Sequence, residues 1–337
     1  MIENQILHVM ILEKFLAPFI DFVDEHFGRE NHQYVFITSE KYQFGLTPQH
    51  NIKFLHTDDD IFITLLEYMR KAKKIILHGL WRDKVAALLY FNQELLSKCY
   101  WVMWGGDFYF PEQHSLIKKQ VIKKMGHFVT YIKGDYELAQ KWYGVKGEYH
   151  ECFMYPSNLY NEYNVQPKEH NTINIQLGNS ATSTNSHIDV LSKLVKYKDE
   201  NIQIFVPLSY GDQEYTKSVI LKGKELFGEK LIALTDFMVF EKYLEFLGSI
   251  DIAIFAHKRQ QAMGNTITLL GLGKKVYMHS ETVQFDFFEQ HGISIFDVNS
   301  INFEVLSQEL VSENKQKIKH LFSREVLTQG LKRIFID

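Results

Sequence analysis

Short apolar runs of strand length fall at 6–11, 34–38, 52–56, 74–78, 99–104, 128–131 and 148–153. Between them lie stretches whose apolar residues recur at helical spacing, among them 15–27, 61–71, 81–96, 115–125 and 136–143. A polar stretch without period, 156–172, follows and reads as a linker. The alternation then restarts. Strand-like runs fall at 173–177, 202–207, 231–234, 250–256, 275–279 and 293–296, and helix-like runs at 185–197, 212–227, 239–247, 266–271 and 283–290. The tail, 303–336, reads as two more helices. Strands alternating with helices predict parallel sheets covered on both faces. The pattern predicts an α/β chain of two Rossmann-like domains with mostly parallel sheets facing a central cleft. The expected divisions are 1–160, 161–312 and a C-terminal helical segment, 313–337, able to return to the first domain.

Length agrees with two domains, since 337 residues exceed one ordinary core. Hydrophobic residues make up 45% and charged residues 23%, which excludes a disordered chain. The net charge of −4 argues against a protein built to coat nucleic acid. No apolar run approaches the length of a membrane span. The N-terminus carries no basic lead and reads as a first strand rather than a signal peptide. Cys99 and Cys152 are far apart, in apolar surroundings and outside any metal-ligand spacing, as expected of two thiols in a reducing cytoplasm. Aromatics reach 14%, with 26 Phe and 18 Tyr. Aromatic surfaces suit sugars, lipid headgroups or protein partners; an AT-rich coding sequence accounts for the same excess.

In parallel sheets, ligands bind beyond the carboxyl ends of strands, and the candidate residues fall there. The run 250–256 empties into Lys258, Arg259, Gln260 and Gln261, and then Gly264, Asn265 and Thr266 open an apolar helix. A strand, a polar loop and a helix N-terminus make an anion-binding arrangement, with a diphosphate as the first ligand to consider. Gly178, Asn179 and Ser180 end the first strand of the second half, where Gly178 permits a sharp turn and the Ser/Thr/Asn run offers either a ligand cradle or a capped turn. This is not a dinucleotide fingerprint. Tyr210, after the next strand, offers a ring for stacking or an ordinary turn residue. In the first half, Trp104, Gly105, Gly106 and Asp107 end a strand with a flat apolar face, close-approach backbone and a carboxylate suited to accept a proton from an acceptor hydroxyl. His78 ends the preceding strand and is either catalytic or structural. The helix carrying Lys118, Lys119, Lys123 and Lys124 is basic and amphipathic, suited to an anionic membrane surface or to simple solvation. Asp58, Asp59 and Asp60 read as a helix start, not as a metal-binding motif.

Taken together, Trp104 to Asp107, Gly178 to Ser180 with Asn185 to His187, Val206 and Pro207 with Tyr210, and Arg259 to Gln261 with Gly264 and Thr266 resemble one family. It is the bacterial TDP-N-acetylfucosamine:lipid II N-acetylfucosaminyltransferases, glycosyltransferase family 56. The resemblance runs from about His78 to the C-terminus. It implies a GT-B fold, a TDP-sugar donor carrying 4-acetamido-4,6-dideoxygalactose, an undecaprenyl-diphosphate-linked saccharide acceptor, and no metal or other cofactor. Donor contacts then fall to Gly178, Asn179, Ser180, Tyr210, Arg259, Gln260, Gln261, Gly264, Asn265 and Thr266. Acceptor contacts fall to His78, Trp104, Gly105 and Gly106, with Asp107 and Arg259 as catalytic residues. This chain departs from the pattern at Gly106, where Ala is expected, and at Asn265, where a small residue is expected. The resemblance implies a task in enterobacterial common antigen synthesis, on the cytoplasmic face of the inner membrane, with peripheral attachment through the lysine helix. A nucleotide-sugar epimerase of the same fold and a non-catalytic nucleotide-sugar binding protein are the alternatives.

Overall fold

The computed structural model describes residues 3–39, 44–165 and 170–337. The chain divides into two compact units, Met1–Leu159 with Arg324–Asp337, and Tyr160–Ser323. In the first unit the strands are β1 (Ile6–Met10), β2 (His32–Phe36), β3 (Lys53–Phe54), β4 (Lys74–His78), β5 (Cys99–Val102), β6 (His127–Val129) and β7 (Glu148–His150). They pair in parallel in the order β3-β2-β1-β4-β5-β6-β7. Helices α1 (Leu16–Phe27), α2 (Leu66–Lys71), α3 (Asp83–Phe91), α4 (Leu116–Lys124) and α5 (Lys133–Tyr143) connect them. β1 and β4 are buried at every position, because helices cover both faces of the sheet. Strand order reverses between β1 and β4, which opens a crevice at their carboxyl ends.

The helix Arg324–Phe335 completes this unit. Its Leu327, Leu331 and Ile334 recur at helical spacing and are buried. Gly330 sits over Cys152, where a Cβ would lie 2.9 Å from the sulfur. Lys74 Nζ donates to the Ile334 carbonyl at 2.7 Å. Both cysteines are free and buried, and burial pushes their thiols up to about 12.

The second unit holds β8 (Ile173–Leu177), β9 (Ile202–Pro207), β10 (Leu231–Leu234), β11 (Ile252–Phe255), β12 (Lys275–Met278) and β13 (Phe296–Asp297). Their order is β10-β9-β8-β11-β12-β13, again parallel, with the reversal between β8 and β11. The helices are α6 (His187–Leu194), α7 (Gln213–Phe227), α8 (Phe240–Ser249), α9 (Met263–Gly271), α10 (Val283–Gln290) and α11 (Gln308–Leu321). α11 stays with this unit: Asn314 Oδ1 accepts from Ser294 N at 2.8 Å and its Nδ2 returns a bond to the Ser294 carbonyl at 2.9 Å. The chain passes back to the first unit only after Ser323.

The described part of the expected linker is packed, not loose. Tyr160 N donates to the Phe322 carbonyl at 2.8 Å, and Val165 fills the space over Gly248. Residues 166–169 of that stretch lie outside the described residues.

A polar line crosses the first unit's core. Trp104 Nε1 donates to the Tyr155 hydroxyl at 2.8 Å. The hydroxyl hydrogen therefore turns to His78 Nδ1, also at 2.8 Å. His78 Nε2–H then donates to His8 Nδ1 at 3.0 Å, and His8 Nε2–H to His32 Nδ1 at 2.9 Å. Each ring is thus fixed in one neutral tautomer. Burial drives all three below the usual histidine value of 6.5, His78 to about 3 and His32 to about 4, with His8 lowered further by its histidine neighbours.

Below pH 6.5 the unfolded chain binds protons that these folded rings refuse. Stability is therefore full above that value and falls as pH drops towards about 4. At about pH 5 each such histidine costs roughly 2 kcal/mol. Thermal unfolding followed between about pH 7.5 and 5 checks this; a midpoint that stays level across the window contradicts the neutral chain.

Candidate active site

At the β8/β11 reversal, three loops are stitched together by neutral side chains. Gly178 leaves β8 with φ +69°, and a Cβ there would lie 2.3 Å from His187 Nε2, so glycine is required twice over. Asn185 is the node. Its Oδ1 accepts from Asn179 N at 3.0 Å and from His257 Nε2 at 2.7 Å, while its Nδ2 donates to the Ser180 carbonyl at 3.0 Å and Thr182 Oγ1 at 2.8 Å. Gln261 reaches back from the loop after β11, donating to Asn179 Oδ1 at 3.1 Å and accepting from Thr184 Oγ1 at 2.8 Å. Gln284 holds the Gln261 backbone on both sides, accepting from its N at 3.0 Å and donating to its carbonyl at 3.2 Å. The loop after β9 joins through Ala181, whose N donates to the Tyr210 carbonyl and whose carbonyl accepts from Asp212 N, both at 2.8 Å. Tyr210 is exposed, and its hydroxyl accepts from Asn179 Nδ2 at 3.1 Å.

Two imidazoles sit inside this network. His257 is pushed down to about 3, by burial first and then by Arg259, His187 and His279; burial takes His187 to about 4. His257 must donate from Nε2, since Asn185 Oδ1 can only accept. His187 Nε2 is buried and has no hydrogen-bond partner. The side chains that join the loops after β8 and β11 are amides, hydroxyls and an imidazole; the carboxylate of Asp212, in the loop after β9, caps α7 by accepting from Tyr215 N at 2.7 Å.

The helix after β11 starts at Met263, three residues before the start that periodicity gives. Ala262 precedes it in the left-handed conformation with no side-chain cap. The amides without a partner in the helix are therefore those of Met263, Gly264 and Asn265. Thr266 is corrected by this shift: it is fully buried, and both its N and its Oγ1 donate to the Ala262 carbonyl, at 2.9 and 3.0 Å. Asn265 Oδ1 accepts from the Tyr243 hydroxyl at 3.1 Å, which fixes that side chain. Arg259 is half-buried beside Gln260 and donates to its carbonyl at 3.2 Å, while Lys258 is exposed. Ser180 is buried, its Oγ 3.1 Å from Thr182 Oγ1.

In the first unit, Asp107 is the main correction. It is fully buried and its two oxygens accept from Leu80 N at 2.9 Å, Trp101 Nε1 at 2.8 Å and Trp104 N at 3.0 Å. Burial raises its carboxyl, against these donors and Lys118. Three donors engage the buried carboxylate, and through them Asp107 ties the loops after β4 and β5 together. His78 is likewise fully buried, and its two ring nitrogens are engaged by His8 and Tyr155. Trp104 is half-buried against Phe15, Trp81 and Tyr155, and Trp81 is exposed. Gly105 takes φ +79° to turn the chain, with half-buried Gly106 following. A pocket at the β1/β4 crevice is lined by Met10, Ile11, His78, Gly79, Trp81 and Arg82 among others. Glu13, three residues beyond β1, is half-buried, and burial raises its carboxyl above the ordinary range against Lys14.

Residues 10–332 match the family described as 4-alpha-L-fucosyltransferase, glycosyl transferase group 56. The chain belongs to glycosyltransferase group 56. Solved structures show how widely its fold is shared. A glycosyltransferase from Rickettsia africae is 14% identical over 99% of this chain and 98% of that one, with a TM-score of 0.70. A sucrose-phosphate synthase from Thermosynechococcus elongatus is 8% identical over 98% of each chain, TM-score 0.68. Anabaena HepE in complex with UDP is 12% identical over 98% of this chain and 94% of that one, TM-score 0.61. This group 56 chain therefore has the α/β GT-B fold, and it is a glycosyltransferase. Sequence reasoning passed over His257, Gln284 and Glu13. The signal for His257 was present: a polar residue directly after an all-apolar strand, at the point where strand order reverses.

Asp107→Asn places an amide N–H against one of three donors, so it is expected to cost about 1–3 kcal/mol of stability. Chemical denaturation measures it. An unaltered unfolding midpoint would restore Asp107 as a candidate for chemistry.

Proposed function

We propose that this glycosyltransferase moves a deoxy-acetamido sugar, of the 4-acetamido-4,6-dideoxygalactose type, from a TDP-sugar to a lipid-diphosphate-linked oligosaccharide in bacterial surface polysaccharide synthesis. The family supports sugar transfer. The observation that carries the donor assignment is the β8/β11 reversal, where uncapped α9 amides and Arg259 stand beside a network of neutral side chains. Breaking the sugar–phosphate bond builds negative charge on the leaving diphosphate. The amides of Met263, Gly264 and Asn265, with the Arg259 guanidinium, are suited to stabilise that charge. Gly178 lets backbone approach the diphosphate closely, and Asn179, Ser180, Gln260 and Gln261 shape the sugar end. Tyr210 offers its exposed ring to the base. HepE, of the same fold, binds UDP.

The acceptor goes to the first unit's β1/β4 crevice, against Trp81 and Trp104, with Gly105 and Gly106 allowing close approach. Glu13 replaces Asp107 as the base. It follows β1 by three residues, where Met10 and Ile11 line this crevice, and burial raises its carboxyl, which strengthens it as a base. A lipid-linked acceptor calls for attachment to the cytoplasmic face of the inner membrane. No described helix is long and apolar enough to cross a membrane. Around α4, Leu116 (79% exposed), Ile117 and Phe110 present apolar side chains, with Lys123 and Lys124 exposed nearby. Lys118 leaves this surface: it is buried, and its ammonium is drawn to Asp107. Apolar insertion plus two or three lysines suits an anionic interface.

Arg259→Ala is expected to lower kcat about 100-fold with the unfolding midpoint kept; steady-state transfer assays decide, and full activity removes the guanidinium from the mechanism. Glu13→Gln is expected to lower kcat by a similar factor, about 100-fold, with nucleotide affinity unchanged; unchanged turnover assigns the base elsewhere. Thermal shifts with TDP, UDP, GDP and CMP are expected to favour TDP. An altered free sugar released without acceptor would indicate an epimerase, and binding without turnover a non-catalytic protein. Leu116→Ser with Ile117→Ser is expected to reduce sedimentation with anionic vesicles; equal sedimentation would show that α4 does not touch the membrane.

A further inference from the structure

At the edge of the first unit's sheet, two strands beyond β4, His127, Glu148 and His150 bring three potential ligand atoms within 4.8 Å of one another. The placement follows from register. His127 pairs with Glu148 across β6 and β7, and Glu148 and His150 alternate onto the same face. His127 Nδ1 lies 2.9 Å from His150 Nε2 and 3.5 Å from Glu148 Oε2, and His150 Nε2 lies 3.8 Å from the same oxygen. A point equidistant from three atoms so separated is about 2.0 Å from each, which matches zinc–nitrogen and zinc–carboxylate bond lengths.

We propose that His127 Nδ1, His150 Nε2 and Glu148 Oε2 bind a divalent transition-metal cation of the zinc class, with solvent in the fourth position. The proposal does not depend on the donor or acceptor assignments. The outer shell already has the form such sites use. His127 Nε2 lies 3.2 Å from the Ser97 carbonyl, an acceptor, so that nitrogen carries the proton and Nδ1 accepts from His150 Nε2–H, the one proton that a bound cation displaces. Tyr100 stacks on the His127 ring, with centroids 4.0 Å apart and planes 4° apart, and holds its direction. The histidine side chains are 19% and 16% exposed while Glu148 is 66% exposed, so the rings are held and the carboxylate closes from solvent. Two cations lie near the cluster, and each has its own partner: Lys74 Nζ donates to the Ile334 carbonyl and Arg333 to the Glu151 carbonyl. Nitrogen ligands favour zinc over calcium and magnesium. The site joins two edge strands, so its role is to fix that edge rather than to take part in sugar transfer.

The test is zinc titration of the untagged full chain after chelator treatment, read by competition with a chromogenic chelator. One equivalent is expected to bind, with calcium and magnesium failing to compete. His127→Gln and His150→Gln are each expected to weaken binding at least tenfold, with the carboxylate variant Glu148→Gln about tenfold weaker. Glu148 is exposed, so its variant folds and keeps the test decisive if a histidine variant does not. Absence of stoichiometric binding overturns the proposal, and so does zinc affinity equal to the parent's in Glu148→Gln and in whichever histidine variants fold.

Discussion

The carboxamide of Asn185 ties together the ends of β8 and β11. Its oxygen receives the Asn179 amide and the His257 imidazole, and its nitrogen binds the Ser180 carbonyl and Thr182. A carboxylate there could not donate, and an aliphatic side chain would leave buried donors unmatched, at about 1–3 kcal/mol each. From that node the other contacts follow. Gly178 is forced to a positive φ beneath His187, Gln261 is drawn across from the next loop, and the uncapped start of α9 is brought to the same strand end.

The two units treat charge in opposite ways. The second joins the ends of β8 and β11 through neutral polar side chains and places Arg259 beside them, a setting suited to an anion. The first buries a carboxylate, Asp107, and surrounds it with three N–H donors, so the negative charge is consumed in holding loops. It also fills its core with three neutral histidines, each locked by the next.

The alternation of apolar runs with helical periodicity was enough to read both parallel sheets, because strands buried on both faces must be apolar at every position, as β1 and β4 are. The loops proposed for the donor were legible as positions only: a parallel sheet puts ligands beyond its strand ends, and these loops follow β8, β9 and β11. Which side chains face outward was not. Asp107 and His78 end strands in the expected place, yet pairings with Leu80, Trp101 and Tyr155, distant in sequence or across the sheet, turn them inward. Thr266 was misread because Ala262 accepts the left-handed conformation and starts α9 early, against its usual preference. The same distant pairing hid His127 and His150: their spacing along the chain resembles no metal motif, and only the register of β6 on β7 joins them.

The central claim is that the strand ends at the β8/β11 reversal cradle the donor's diphosphate. Amide hydrogen exchange with and without TDP tests it most directly. The account predicts slowed exchange at residues 178–187 and 256–266, with the amides of Met263, Gly264 and Asn265 among those most protected. Slowing confined to the strand ends of the first unit, or none in these two segments while TDP is bound, would contradict it.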